Sequence, residues 1–281
     1  MLNILNAIFV QPLANLLFLF VAYLPGHDFG MAIILLTSFI RLILWPLASK
    51  QLHSQKALTA IQPEVNRLKA KYKNDPQKFN QATMELYKEK EVNPFGSCLP
   101  LLIQLPFLIG IFYVFRPFAN SAYAVLANPN GIVSQLYPFV KALPGVQSYI
   151  SSNTAISTMF FGLVDLAKPN MVFAGVAAVA QFIQSKMIMP KKDPNAPKDP
   201  STAITSQMTY FFPIITFVIA LSLPAALPLY WIVTTAFAIL QQYLVFHREV
   251  KQVEDEAAIE TAQKPTKKKK GAKNAGKRSR R

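Results

Sequence analysis

The stretch GMAIILLTSFIRLILWPLASK, Gly30 to Lys50, constrains the chain more than any other. It is apolar over a length that crosses a bilayer, which takes about 20 helical residues, yet it holds a charge in its interior, Arg41. A guanidinium at bilayer depth costs about 2.5–3.5 kcal/mol on insertion scales, so such a residue marks a function or a polar partner inside the protein. Lys50 marks the nearer boundary, and at about 1.5 Å rise per residue Arg41 lies about 13 Å from it. That is more than a snorkelling side chain easily spans. The sequence therefore predicts a water-filled cavity or a buried polar neighbour around Arg41.

The chain has 281 residues, of which 52% are hydrophobic, and still carries a formal net charge of +15. Both hold only if the charges are segregated, with apolar blocks of spanning length alternating with basic connectors. The fold class expected is an all-α polytopic membrane protein. A single cysteine, Cys98, excludes an internal disulfide and a cysteine metal cluster. His27, His53 and His247 are isolated in sequence, and no HExxH pair, P-loop or GxSxG elbow occurs. The expectation is a protein that is not an enzyme and that uses no cofactor and no metal.

Residues 1–29 begin with an apolar run, Ile4 to Leu24, interrupted by Asn6, Gln11 and Asn15 at spacings that trace one helical face. It lacks the basic start and cleavage site of a secretory signal. Two placements fit: a span forming a hairpin with residues 30–50 through Pro25-Gly26-His27-Asp28, or a helix lying in the interface with its asparagines toward water. After the first span, 30–50, residues 51–93 repeat apolar positions at helical spacing, Ile61, Val65, Leu68 and Tyr72, then Phe79, Ala82 and Leu86. An Asn74-Asp75-Pro76 turn separates the two sets, which predicts an amphipathic helical hairpin. Its eight Lys/Arg and five Asp/Glu suit an ordinary solvated face or one that touches a partner or lipid headgroups. The second span is 94–118, with Gln104 and prolines that neighbouring helices can accommodate. A loop-like stretch, 119–170, carries a Phe160-Phe161-Gly162-Leu163 cluster suited to an interface. The third span is 171–189, the connector PKKDPNAPKDP lies in 190–203, and the fourth and fifth spans are 204–223 and 224–246.

Of the 29 Lys/Arg, 24 fall in 51–93, 185–203 and 247–281, whereas 117–170 holds only Lys141 and Lys168. By the positive-inside rule the hairpin, the connector and the tail are cytoplasmic. With the first helix lying flat, the N-terminus is outside. The basic tail, 247–281, is disordered by composition. Its expected partners are polyanions, either ribosomal RNA phosphates or anionic lipids of the inner leaflet.

The polar residues inside the spans fall on stripes. Thr37 and Arg41 share a face, as do Gln181 and Gln184, and Trp231, Thr234 and Gln241. Singly, each reads as interhelical glue. Together with Arg41 they can line one cavity that brings water and a fixed positive charge partway into the bilayer.

The blocks IRLILWPLASKQLHSQKALTAIQPEVNRLKAKY, NPFGSCLPLLIQLPF, FIQSKM and LPAALPLYWIVTTAFAILQQYL occur in that order. In motif and spacing the chain resembles the YidC/Oxa/Alb membrane-protein insertases, of the short bacterial type, over most of residues 6–247. The resemblance implies five transmembrane helices around a cytosol-open hydrophilic groove closed toward the outside, an outer interfacial helix over Ile4 to Leu24, and a cytoplasmic hairpin over 51–93. Arg41 matches the family's groove arginine, Gln184 falls where a polar groove residue stands on the third span, and Trp231 and Gln241 lie on the groove-lining last span. The expected substrate groove is Arg41, Thr37, Gln184, Gln181, Trp231, Thr234, Gln241 and Gln104. The chain departs from short members in lacking a lipoprotein-like signal and cysteine, and its stretch over 119–158 is long for the family.

The function expected is an insertase and chaperone in the bacterial cell membrane that moves nascent hydrophobic segments from cytosol into the bilayer. Its partners would be nascent membrane proteins, the ribosome, anionic lipids and a Sec-type translocon. The competing class is a small-solute or anion transporter or channel with Arg41 as the anion site. Such a protein is expected to show repeated halves or paired broken helices, and the sequence has no internal repeat.

Overall fold

The computed structural model describes residues 2–93, 99–120, 132–152, 156–189 and 200–263. Contacts divide the chain into two units, Met1–Gln242 and Tyr243–Arg281. The chain opens with a short helix α1 (Leu2–Leu5), a π-helical segment (Asn6–Val10) and α2 (Gln11–Tyr23). Asn6–Tyr23 together is long and apolar enough to cross a membrane. Asn15 does not face water. It is buried, its amide donates to the Gln11 and Gln135 carbonyls at 2.7 and 3.0 Å, and its oxygen accepts from the Tyr137 N–H at 2.7 Å. The polar face that suggested an interfacial helix is thus partly an internal clasp.

A short 3-10 turn, Pro25–His27, with Gly26 and His27 both at positive φ, reverses the chain. Helix α3 (Phe29–Ile43) follows, N-capped by Asp28, whose carboxylate accepts from the Met31 N–H at 2.9 Å. The stretch 30–50, expected as one span, is not one straight helix. α3 stops at Ile43, and α4 (Trp45–Lys71) leaves at a bend of 66°. The cause is Pro46 in the first turn of α4, which has no N–H to offer the preceding turn and whose ring crowds the carbonyl four residues back. Arg41 therefore sits in the last turn of α3, beside the bend, rather than mid-helix.

Helix α5 (Pro76–Glu89) packs back on α4, with Ile61, Val65, Thr83 and Leu86 buried between them and Lys90 pairing Glu64 at 3.4 Å. Asp75 caps α5 by accepting from the Lys78 N–H. That bond, with the Lys78 ammonium beside it, holds the Asp75 carboxyl below the usual carboxylate range. Helix α6 (Leu99–Asn120) follows. Residues 94–98, and with them Cys98, lie outside the described residues.

Within the stretch expected as a loop, the described residues hold several short regular elements. From residue 132 it forms a 3-10 turn (Ile132–Gln135), α7 (Pro138–Lys141), α8 (Pro144–Ser151) and a two-stranded hairpin, β1 (Met159–Phe160) paired antiparallel with β2 (Val164–Asp165). Ile132, Leu136, Val140, Val146, Tyr149, Ile156 and Leu166 are buried and join the core formed by α2, α3, α6 and the start of the last helix. Periodicity missed them because the elements are too short to show a period. Burial pushes the Tyr149 phenol up to about 12.

Helices α9 (Met171–Ile188) and α10 (Pro200–Leu221) pack along each other, and Phe182 meets Tyr210 at 5.6 Å between ring centres. The final helix, α11 (Ala226–Gln263), begins after a turn at 222–225. It is helical well beyond Phe246, so the disordered tail expected from 247 is corrected as far as Gln263. HREVKQVEDEAAIETAQ is rich in Glu, Ala and Gln, which favour helix. Residues 264–281 lie outside the description, as does the connector 190–199. Among the described residues three helices are long and apolar enough to cross a membrane, or four if the bent α3–α4 pair is one span.

Candidate functional site

Helices α3, α4, α6, α9 and α11 surround a cavity of about 440 Å3. Its walls mix apolar side chains, such as Leu44, Leu47 and Phe107, with many polar ones. α3 contributes Thr37 and Arg41, α4 Gln51 and Gln55, α6 Gln104, α9 Gln181, Gln184 and Ser185, and α11 Tyr230, Trp231, Thr234, Thr235, Gln241 and Gln242. All eight residues proposed from the sequence line this one cavity. Arg41 is the single charged side chain among the described lining residues, and no carboxylate stands in the wall to neutralise it.

Hydrogen bonds hold the wall in place. The Arg41 guanidinium donates to Gln104 Oε1 at 3.3 Å, and Gln104 Nε2 donates in turn to the Tyr230 hydroxyl. This relay ties α3 to α6 and α11 and presents the charge to the cavity. Gln241 is buried, and its amide donates to the Trp45 carbonyl at 2.8 Å and to Ser49 Oγ at 2.9 Å. It thereby fastens α11 to the first turn of α4, just past the bend. Thr37 spends its hydroxyl within its own helix, donating to the Ile33 carbonyl at 2.7 Å. Gln242 is 1% exposed and its Oε1 has no described partner. A buried amide left half-paired is costly in an apolar core, and it is tolerated beside a cavity that can admit water.

Beyond one end of the cavity α3, α6 and α11 turn apolar. Phe29, Ala32, Ile33 and Leu36 of α3, Ile111, Val114 and Phe115 of α6, and Leu227 and Leu229 of α11 form one buried cluster with α2 and the segment from residue 132. Tyr230 stands at the border, buried in the cluster and lining the cavity. The sequence reading missed Tyr230, Gln51, Gln55, Thr235 and Gln242 as cavity residues. Tyr230 was findable, four residues before Thr234 on the same helical face. Gln51 and Gln55 were not, because they reach the cavity only through the bend at residue 44.

Helix α9, the first part of α11 and the bent α3–α4 pair are apolar enough to cross a membrane and line a cavity with one cation, which defines an all-α membrane protein. The model of the 60Kd inner membrane protein family matches residues 20–252. The chain is 35% identical over 249 residues to the membrane protein insertase MisCA of Bacillus subtilis, covering 86% of this chain and 79% of that one. It is 36% identical over 208 residues to a membrane protein insertase YidC of Clostridium tetani, covering 74% and 77%, and 32% identical over 240 residues to one of Fusobacterium nucleatum, covering 83% and 97%. The chain belongs to the 60Kd inner membrane protein family, the YidC/Oxa/Alb group expected from its motifs. Its named relatives are insertases rather than enzymes, and the class places it in a bacterial membrane with nascent membrane proteins as substrates.

Proposed function

We propose that this chain inserts nascent hydrophobic segments from the cytosol into the bilayer, with the polar cavity serving as the groove and Arg41 as its intramembrane charge. The observation that carries this reading is the position of Arg41. Among the described lining residues it is the single charge, it is held by Gln104 with no carboxylate beside it, and the relay from it ends on Tyr230, which is also part of the apolar cluster. A client's polar flank enters the groove without full desolvation, and the hydrophobic segment passes into lipid along the outer helix faces. Transfer of that segment, worth about 25 cal/mol per Å2 buried, drives the process. No nucleotide is required.

In this reading α3 with its bend, α6, α9, α10 and the first part of α11 are five spans, and the apolar end of the cavity faces outward. The chain is multi-pass, with its N-terminus outside and its C-terminus cytoplasmic. Residues 1–29 lie at the outer interface, 119–170 cover the outer end, and 190–203 form a cytoplasmic loop. The α4–α5 hairpin and the basic tail, 247–281, receive clients from the ribosome, next to anionic lipid or a Sec-type translocon.

The test replaces Arg41 by alanine and measures insertion of clients with acidic or neutral outer tails into proteoliposomes. A hydrogen bond to a charged group contributes about 1.5–3 kcal/mol, so acidic-tailed clients are expected to lose about tenfold in insertion while neutral ones change little. Equal insertion of both client sets by the variant refutes the Coulombic role. Crosslinkers at positions 37, 184 and 241 are expected to reach one stalled nascent chain; contact from one helix alone refutes the shared groove.

A further inference from the structure

The β1–β2 hairpin carries an apolar tip that the groove does not use. Phe161 and Leu163 are 66% and 83% exposed, and Phe161 and Gly162 both hold the left-handed φ, 49° and 71°. A phenylalanine pays for that conformation, so the tip is held open against its own preference. What holds it is visible. The Phe161 N–H donates to Asp28 Oδ2 at 3.0 Å, and Asp28 is also the N-cap of α3. Phe160 is wedged against Gly30, where a Cβ would collide with its ring. Its other sides meet Phe161 at 4.5 Å and Phe173 of α9 at 6.2 Å between ring centres.

We infer that Phe161 and Leu163 insert into the outer boundary of the bilayer, between headgroups and acyl chains, and anchor the extracytoplasmic segment there. Three observations point to lipid. The ring contact with Phe173 sets the tip beside the first turn of α9, whose Met171 and Val172 are 72% and 69% exposed, on a spanning-length helix of which 11% is buried. The tip thus continues a lipid-facing surface. Its backbone donors are all spent internally, Phe161 on Asp28, Gly162 on the Met159 carbonyl at 3.5 Å and Leu163 on the Phe160 carbonyl at 3.0 Å. Such self-satisfaction is needed where water is scarce. Below the tip the hairpin turns polar, with Asp165 paired to Lys168 at 3.2 Å and Lys168 itself 78% exposed. An apolar tip over an ion-paired base matches the polarity gradient of the interface.

This rests on α9 crossing the membrane and not on the insertase reading, so the two fail separately. The experiment uses the full chain in phosphatidylcholine nanodiscs, with Phe161→Trp and, separately, Leu163→Trp, and subtracts the emission of the wild type with Trp45 and Trp231. Met84→Trp, on the exposed face of α5, is the solvated control, since phosphatidylcholine discs offer the hairpin no anionic lipid. Lipids brominated about 5–10 Å below the headgroup boundary are expected to quench the tip tryptophans more than lipids brominated at the chain ends, with blue-shifted emission, and to leave the control unquenched. Absence of quenching at both tip positions overturns the inference. If that absence comes with a chemically crosslinked dimer through the tip, a second copy occupies the surface instead.

Discussion

One face of helix α3 buries Phe29, Ala32, Ile33 and Leu36 in the apolar cluster, whereas Thr37, Ile40 and Arg41 further along the same helix line the cavity. Helix α11 repeats the division, with Ala226 to Leu229 in the cluster and Trp231 to Gln242 on the cavity. The apolar half is stabilised by close packing, so its side chains tolerate little change. The polar half is held by a few directed hydrogen bonds, Arg41 to Gln104 to Tyr230 and Gln241 to Trp45 and Ser49. Close packing holds the one region, and a few hydrogen bonds between helices hold the walls of the other. Stability is concentrated in the apolar region, and the charge is kept in the region held by hydrogen bonds.

Truncating the seal is the most damaging way to blur the comparison. Ile33→Ala removes a fully buried side chain and is expected to cost about 2–5 kcal/mol, read as a lowered thermal midpoint in detergent. Gln241→Leu comes next. It leaves the Trp45 carbonyl and Ser49 hydroxyl without the α11 amide, at about 1–3 kcal/mol. It should loosen the α3–α4 bend, seen as faster amide exchange over 45–49. Gln242→Leu, one residue on, is the smallest change. Its Oε1 is already without a described partner, so the variant should stay within about 1 kcal/mol of wild type. A large loss at Gln242 in the same melting assay contradicts the division, because it makes the residue part of the packed half.

The residues of the site were legible in the sequence to a greater extent than the frame that holds them. A polar side chain inside a spanning run is expensive wherever it points, so Thr37, Gln104, Gln181, Gln184, Thr234 and Gln241 announced themselves, and helical spacing grouped those that shared a helix. Pro46 signals the bend, but the apolar run continues across it and hides the break. The segment after residue 132 was read as a loop because four-residue helices and two-residue strands carry no period. The partners of Asn15 are beyond the reach of local pattern, since its clasp on Gln135 and Tyr137 joins positions more than a hundred residues apart.

By itself, the sequence determined the class of the protein, the family its motifs belong to, and the presence of a charge that needs a polar environment. These follow from transfer costs and helical periodicity, which act over a few turns. Only the tertiary structure decided that Arg41 stands beside a bend and bonds Gln104, that Gln51 and Gln55 reach the same cavity, and that a strained apolar hairpin tip is held out beside α9. Each of those depends on contacts between distant segments, and no local preference of the chain encodes them.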